Sequence, residues 1–473
     1  MKWSLLVRWS MAACCLPLVL PTQAVSQSAP TQAAGTQALA PCFRTDVPAH
    51  PFDLILGRPT NTSVTASVLS YTQAEAYLEG GTRPGNYTVH SQTVQLPAGE
   101  PVSIVLQSLL PDTAYYYRLQ RREGGGAFAA SDEFHFHTQR PPGSTFTFTV
   151  IADSHLDERT DTALYQTTLR NALAEAPDFH LDLGDTFMAE KVRGLGEAIA
   201  PMYLAQRYYL GLLCRCAPLF FVTGNHDEVV GGQDTQAIEL RRKHLPNPLP
   251  DGFYSGDRSA GTANYYAWTW GDALFVVLDP FTYSSGRIRT PQENWNRTLG
   301  EAQYRWLQRT LEASQARYKF VFLHNLVGGL DKDGRGGVEA APYFEWGGHN
   351  LDGSDGFPER RPGWELPIHQ LLVRHKVTAV FHGHDHFYAR QELDGIVYQE
   401  VPQPGWVGGE RVKEAAGYGY RSGQILPSSG HLHVKVTPGA ATIDYVRSYL
   451  PAQEARGRKN GLVADSCRLT PIP

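Results

Sequence analysis

Apolar and polar residues alternate in short runs through the first third of the chain. Residues 62–68, 92–96 and 102–106 each switch between apolar and polar positions, and turn residues such as those at 97–99 separate the runs. A period of two is typical of strands that bury one face. Short strands at this spacing predict a two-sheet β-sandwich over residues 45–140.

After a Pro-rich linker at residues 140–143 the pattern changes to apolar runs that alternate with amphipathic segments. The apolar runs predict strands at 146–152, 179–183, 219–222, 319–323 and 377–381. The amphipathic segments predict helices at 163–176, at 199–213 and after a capping box at 298–301. A hairpin at 265–278 and a β run at 430–448 complete the pattern. The predicted fold class is α/β: an N-terminal all-β sandwich, then a layered α/β domain at 145–450 with two packed sheets flanked by helices.

The two ends of the chain have a different character. Lys2 and Arg8 precede a short apolar run and a small-residue cleavage site, which is typical of a secretory signal peptide over residues 1–24. Residues 25–44 predict a flexible lead, and the polar residues 451–473 predict a loosely held C-terminal tail. The signal predicts a secreted or periplasmic protein.

A lipoprotein signal ending at Cys14 is the less favoured alternative, because little apolar sequence separates Arg8 from Cys14.

The net charge and the lengths of the apolar runs argue against a nucleic-acid partner and against a transmembrane anchor. The formal net charge of −5 leaves no basic footprint for nucleic acid. No later apolar run is long enough for a transmembrane anchor. Four cysteines follow the signal, Cys42, Cys214, Cys216 and Cys467, and their pairing stays open, as does the oligomeric state.

Residues able to bind metals follow five of the predicted strands. They are two carboxylates, one amide and four imidazoles: Asp153, His155, Asp185, Asn225, His324, His384 and His386. The carboxyl ends of strands are where open α/β sheets hold ligands. Residues at i and i+2 of an extended chain face the same way, so the pairs 153/155 and 384/386 can each bind one ion.

This donor mixture suits transition metals better than Ca or Mg. Seven side chains are too many for one tetrahedral ion and suit two ions about 3.5–4 Å apart that share a carboxylate. The sequence therefore predicts two divalent or mixed-valence transition metal ions, such as Zn, Mn or Fe.

As a set, five motifs of this chain resemble those of the calcineurin-like metallophosphoesterase superfamily. They are Asp-x-His at 153–155, Gly-Asp at 184–185, Gly-Asn-His-Asp at 224–227, the strand-end His324 and Gly-His-x-His at 383–386. The resemblance spans residues 146–390. The Leu-Pro-x-Thr-x-Tyr corner of the sandwich is similar to a fibronectin type III domain. With the hairpin and the closing strands, the sandwich resembles the purple acid phosphatase architecture.

The resemblance implies a role for each residue. Asp153, His155, Asp185 and His386 would hold one metal, and Asp185, Asn225, His324 and His384 the second. His226 would be a catalytic imidazole aimed at the phosphoryl group, with Asp227 orienting it. Purple acid phosphatases have a tyrosine three residues after the bridging aspartate, whereas this chain has Met188, so a colourless site is expected.

The implied activity is that of an exported dinuclear phosphoesterase acting on a small-molecule phosphate ester through in-line attack of a metal-bound hydroxide. A phosphomonoesterase of the acid phosphatase type is favoured. A phosphodiesterase or nucleotidase on the same site is the alternative, and a non-catalytic exported binding or adhesion protein is a distant one. The Gly-rich insert at 330–365 offers three weaker candidates for substrate contact, Arg335, Trp346 and His349.

Overall fold

The computed structural model describes residues 43–191, 196–227, 235–256, 264–285, 288–406 and 411–472. The signal peptide predicted at 1–24, most of the flexible lead and Cys42 lie outside the described residues. No helix among the described residues is long and apolar enough to span a membrane.

Short strands form the N-terminal region, as the alternating pattern predicts. Their bounds are β1 Phe52–Gly57, β2 Ser63–Ser70, β3 Ala74–Gly81, β4 Val89–His90, β5 Val94–Leu96, β6 Pro101–Gln107, β7 Ala114–Arg122, β8 Ala129–Ala130 and β9 Phe134–His137. Inward-facing residues of these strands form one apolar core that includes Val64, Leu78 and Tyr117. Tyr115 closes the predicted corner, because its hydroxyl accepts from the backbone N–H of Leu110 at 2.9 Å.

Strands and helices alternate in the rest of the chain. The strands are β10 Phe146–Ile151, β11 Phe179–Asp182, β12 Leu219–Phe221, β13 Ser255–Gly256, β14 Tyr266–Trp270, β15 Ala273–Val277, β16 Tyr318–Phe322, β17 Ala379–His382, β18 Tyr388–Leu393, β19 Ile396–Glu400, β20 Gln424–Leu426, β21 Gly430–Thr437, β22 Ala440–Arg447 and β23 Val463–Leu469. The helices are α1 Thr162–Ala174, α2 Gly196–Cys214, α3 Thr235–His244, α4 Gly300–Ala313, α5 Phe344–Gly347, α6 Phe357–Arg360 and α7 Ile368–Arg374.

The described strands form three sheets. One follows the order β23-β22-β21-β10-β11-β12-β1-β2-β6, and a second the order β13-β14-β15-β16-β17-β19-β18-β20. The third consists of β4-β3-β7-β8, with β5 and β9 paired to β3 and β7. In the first sheet β10, β11 and β12 are parallel, and in the second β15, β16 and β17 are parallel.

An aromatic core joins the first two sheets face to face. Phe220 from one sheet stacks on Trp268 from the other with ring centroids 3.9 Å apart, and Phe148 meets Phe275 at 5.3 Å. Each fully buried ring of this size stabilises the fold by about 1.5–3 kcal/mol. The outer faces are covered by helices: α1 and α2 contribute to one apolar cluster, and α4 and α7 to another. The predicted layered fold class is confirmed.

The N-terminal strands are physically joined to the α/β region. β1 pairs in parallel with β12 through Gly57 and Leu219, so the first sheet runs without a break from one region into the other. Leu54 and Leu56 point into the sandwich core, whereas Ile55 packs among residues of α1 and α2. β1 therefore contributes to both cores.

The prediction of a loosely held tail after residue 451 is wrong. β23 pairs along its length with β22 and forms the edge of the nine-stranded sheet. Asp465 on β23 accepts from Tyr388 and from Arg390, both at 2.6 Å. The pattern of apolar residues could not predict these contacts, because they are hydrogen bonds between polar side chains.

The capping box predicted at the start of α4 is also wrong in detail. The helix is preceded by Leu299 and has no side-chain cap. Thr298 instead accepts from the backbone N–H of Gly300 at 2.9 Å. The predicted apolar face is correct, because Tyr304, Leu307 and Leu311 are all buried.

The described cysteines form no disulfide with one another. Cys214 is buried, and Cys216 and Cys467 are half-buried; all three carry free thiols.

Candidate metal centre

The predicted metal ligands come together at the carboxyl ends of the central parallel strands. Asp153 and His155 follow β10, Asp185 follows β11, and Asn225 follows β12. His324 follows β16 and the 384/386 pair follows β17. Because the two sheets pack face to face, their ligand-bearing edges meet.

Six of these residues form two clusters. The ligand atoms of Asp153, His155 and His386 lie within 4.8 Å of one another, and so do those of Asp185, His324 and His384. Asp185 Oδ2 lies between the clusters, 3.1 Å from His324 Nε2 and 3.8 Å from His155 Nε2. This is the position expected for a carboxylate shared by two ions.

Buried polar atoms without hydrogen-bond partners mark the same place. Six predicted ligands each contribute one such atom: Asp153 Oδ1, His155 Nε2, Asp185 Oδ2, Asn225 Oδ1, His324 Nε2 and His384 Nδ1. Leaving a buried polar atom unsatisfied costs about 1–3 kcal/mol. Bound cations would satisfy these six buried polar atoms, which lie close together. The residues present therefore fit a two-ion centre.

The other nitrogen of each ring is held by the protein. His324 Nδ1 donates to the Leu183 carbonyl and His384 Nε2 to the Asp333 carbonyl, both at 2.9 Å. His155 Nδ1 faces Asp157 Oδ2 at 3.5 Å. Such partners orient a metal-binding imidazole and select its tautomer. In each ring, the nitrogen that faces away from this partner is the one without a hydrogen bond.

Strained backbone accompanies the ligands. The φ angle is positive at Asp153 (60°), His155 (53°), Asp185 (55°), His384 (82°) and His386 (69°). Each such residue costs on the order of 1–3 kcal/mol, and residues of this kind cluster at functional sites.

Two glycines of the motifs are required by close packing. A Cβ on Gly224 would lie 2.2 Å from the Asp185 nitrogen, and one on Gly383 would lie 2.7 Å from Asp153 Oδ2. The glycines therefore let the loops approach closely enough for their ligands to meet.

Asp227 holds this loop arrangement together. Its Oδ1 accepts from the backbone N–H groups of Thr186 and Phe187, and its Oδ2 from those of Asp185 and Gly224, at 2.7–2.8 Å. A carboxylate has about four acceptor positions, and all are taken. Asp227 therefore positions the two loops, and its expected role of orienting the ring of His226 stays a prediction.

His226 is more exposed than the histidines of the two ligand clusters. Its side chain is 25% exposed, and its Nε2 lies 3.7 Å from Asp185 Oδ2. Its ring is edge-on to that of His155 at 5.8 Å. This imidazole thus borders the ligand clusters from the solvent side.

Burial and neighbouring charges set the protonation of the ligands. Burial raises the pKa of Asp153, but the imidazoles of His386, His155 and His324 outweigh it and hold that pKa below its usual range. Burial lowers the pKa of His324, yet the Asp185 carboxylate raises it to about 9. A cation that binds here displaces the protons that these imidazoles hold.

The three weaker candidates occupy different places. Arg335 lies beside the site: its Nη1 donates to Asp333 at 2.9 Å, and its Nε is 3.7 Å from Asp385. Trp346 is fully buried and donates to the Tyr398 hydroxyl at 3.0 Å, so it has no surface to offer a substrate. His349 is exposed, and its backbone closes the turn around α5.

Asp157, beside His155, escaped the sequence reasoning. Asp157 lies two residues after His155, and this spacing is a sequence signal, although positive φ angles at His155 and Leu156 show that the backbone between them is not extended. The carbonyls of Leu183 and Asp333 carry no sequence signal at all.

Comparison with known proteins agrees with this geometry. A family model described as calcineurin-like phosphoesterase matches residues 146–388. No curated protein matches the chain. The solved structure of PhoD has a TM-score of 0.60 at 17% identity and covers 84% of this chain and 86% of that one. Purple acid phosphatase PPD1 from yellow lupin (Lupinus luteus) seeds has a TM-score of 0.59 at 16% identity, with 88% and 74% covered. These likenesses indicate a shared fold.

Proposed function

Since the chain belongs to the calcineurin-like phosphoesterase family and is a metal-dependent phosphoesterase, we propose that it is an exported phosphomonoesterase with two transition metal ions. The six orphaned donor atoms around Asp185 carry the two-ion part of this proposal. The fold shared with a purple acid phosphatase supports the monoester part.

The chain offers a complete set of side chains for two ions. Asp153, His155 and His386 would hold the first, and His324 and His384 the second. Asp185 would serve both, and the amide oxygen of Asn225 would complete the second set. Such ions neutralise phosphate charge and supply a nucleophile from water at neutral pH.

The remaining chemistry falls to His226. Its Nε2 lies near the bridging carboxylate and its side chain is partly exposed, so the ring can reach both the centre and a substrate. A protonated imidazole there stabilises the phosphoryl oxygens or gives a proton to the leaving alkoxide. Asp227 keeps the backbone of Asp185 and Gly224 in place while this happens.

Met188 bears on the choice of metal. It occupies the place of the tyrosine that colours purple acid phosphatases, and it is buried in an apolar cluster. We propose Zn, Mn or Fe, with no visible charge-transfer band when iron is bound.

Export rests on the predicted signal at residues 1–24. N-terminal sequencing of the protein secreted by its host would test this proposal. A mature chain beginning at residue 25 supports it, and a chain that retains Lys2 contradicts it.

Ester preference is tested by comparing p-nitrophenyl phosphate with bis(p-nitrophenyl) phosphate. We expect the metal-loaded protein to have the higher kcat/KM on the monoester. A clear preference for the diester would favour the phosphodiesterase alternative.

A further inference from the structure

Arg447, at the end of β22, is a buried cation with no carboxylate partner in the part of the chain that the structure describes. The residue is only 8% exposed. Its Nε donates to the Ser429 carbonyl at 3.2 Å and its Nη2 to the Ser428 carbonyl at 3.0 Å. Among the described residues, no carboxylate lies within the 4.0 Å of an ion pair. Buried charges in proteins are nearly always paired.

Arg447 lines a cavity of about 680 Å³. This volume falls in the range of small-molecule sites. Lys413 and Arg458 also line the cavity, and none of its described lining residues is Asp or Glu. In a chain with a net charge of −5, the two arginines and the lack of a carboxylate among the described lining residues favour an anionic occupant.

Aromatic and apolar surface forms other parts of the cavity wall. Trp406, Tyr449 and Pro427 belong to it. Tyr449 also lies under the guanidinium of Arg447, 4.9 Å from ring centroid to Cζ, which fixes the cation in place. The cavity thus combines a fixed positive group with surface for a ring or an alkyl chain.

This cavity differs from the candidate metal centre. None of the seven predicted metal ligands lines it. Ser428 connects the two places, because its hydroxyl donates to the His386 carbonyl at 2.6 Å. The cavity therefore touches the backbone of the metal loop without including its donor atoms.

We propose that this cavity is a binding site for a small organic anion. The phosphate or carboxylate group of the ligand pairs with Arg447, and its apolar body lies against Trp406 and Tyr449. A guanidinium has five N–H donors, and the serine carbonyls use two of them, so donors remain for a ligand. Planar anionic groups match this donor arrangement.

Isothermal titration of the full-length, metal-loaded protein with phenylphosphonate and with benzoate tests the proposal. We expect Arg447→Met to lose about tenfold or more in affinity for at least one probe, the size of one charge-assisted hydrogen bond. Arg468→Met is the matched control: it removes an exposed arginine from the adjacent strand β23 and should bind as the wild type does. If Arg447→Met weakens the binding of benzoate alone, the cavity is a carboxylate site. If it weakens the binding of phenylphosphonate alone, the cavity is a phosphate site, because phenylphosphonate bound at the metal centre would not respond to this variant.

A second variant covers the case in which Arg447→Met does not fold. Arg458 is exposed at the cavity, so Arg458→Glu reverses a charge there without disturbing the core. We expect it to weaken the same probe severalfold.

Unchanged affinity in Arg458→Glu and in a folded Arg447→Met, or no probe binding to the wild type, would overturn the proposal. Phosphatase assays on the same preparations keep this outcome separate from a failure of the proposed function.

Discussion

Replacing Asp227 by asparagine separates two roles that this residue could have. The carboxylate accepts four backbone hydrogen bonds, two on each oxygen. The asparagine side chain keeps one acceptor oxygen, but its NH₂ group then faces two backbone N–H donors and cannot accept from them. Two hydrogen bonds to a charged acceptor are lost, each worth about 1.5–3 kcal/mol, so Asp227→Asn should cost on the order of 3–6 kcal/mol.

The loss should fall on the metal loops. The donors belong to Asp185, Thr186, Phe187 and Gly224, so their release loosens the residue that both ions share. We expect a lower Tm and less bound metal per chain, measured by thermal unfolding and by inductively coupled plasma mass spectrometry. Asp132→Asn, at an exposed carboxylate, is the control and should change neither.

The opposite pattern would refute this reasoning. If Asp227→Asn kept its Tm and its full metal content while turnover alone fell, Asp227 would be acting on the ring of His226. The loop-holding role derived from the four hydrogen bonds would then be wrong.

Three further predictions follow from the site and the core. His226→Ala should keep its metal but lose about 10²–10⁴-fold in turnover, as expected for a general acid, and full activity in this variant would remove His226 from the mechanism. Asp185→Ala should lose bound metal as well as turnover, since this carboxylate touches both clusters; metal analysis beside the turnover assay distinguishes it from His226→Ala. Burial and the nearby His431 lower the pKa of His180 to about 3, so unfolding exposes a group that binds a proton below its ordinary pKa of 6.5. The contribution of His180 to stability should therefore fall by about 1.4 kcal/mol per unit as pH drops from 6.5 towards 3, and His180→Asn should reduce the overall slope by that amount in denaturant melts.

Local patterns were sufficient for most of the strands and for choosing the residues that form the two candidate clusters. The period-two rule pairs Asp153 with His155, and these two residues do share a cluster. The rule also pairs His384 with His386, and that expectation is wrong, because the two residues belong to different clusters. The positive φ angles at these residues show that the backbone there is not the extended chain that the rule assumes. Parallel strands then bring their carboxyl ends to one edge, which is why residues far apart in the chain form two clusters. The confirmed fold class rests on the same alternation of strand and helix.

Long-range backbone contacts were beyond this reasoning. Nothing around Gly57 indicates that β1 will pair with Leu219 and extend the central sheet. The role of Asp227 depends on N–H groups that come together only after the loops at 185 and 224 have folded. The burial of Trp346 likewise depends on α4 and α7 closing over it, since a Gly-rich segment reads as an exposed loop.

Measuring the bound metal per chain while activity is restored tests most directly the claim that this protein is a two-ion phosphoesterase. Purified protein would be stripped by a chelator and titrated with Zn, Mn or Fe, with bound metal per chain and hydrolysis of p-nitrophenyl phosphate measured at each step. We expect activity to return as bound metal approaches two ions per chain, and Asp185→Ala to recover neither. Full activity after chelation, or saturation at one ion per chain with full turnover, would contradict a two-ion centre built around Asp185.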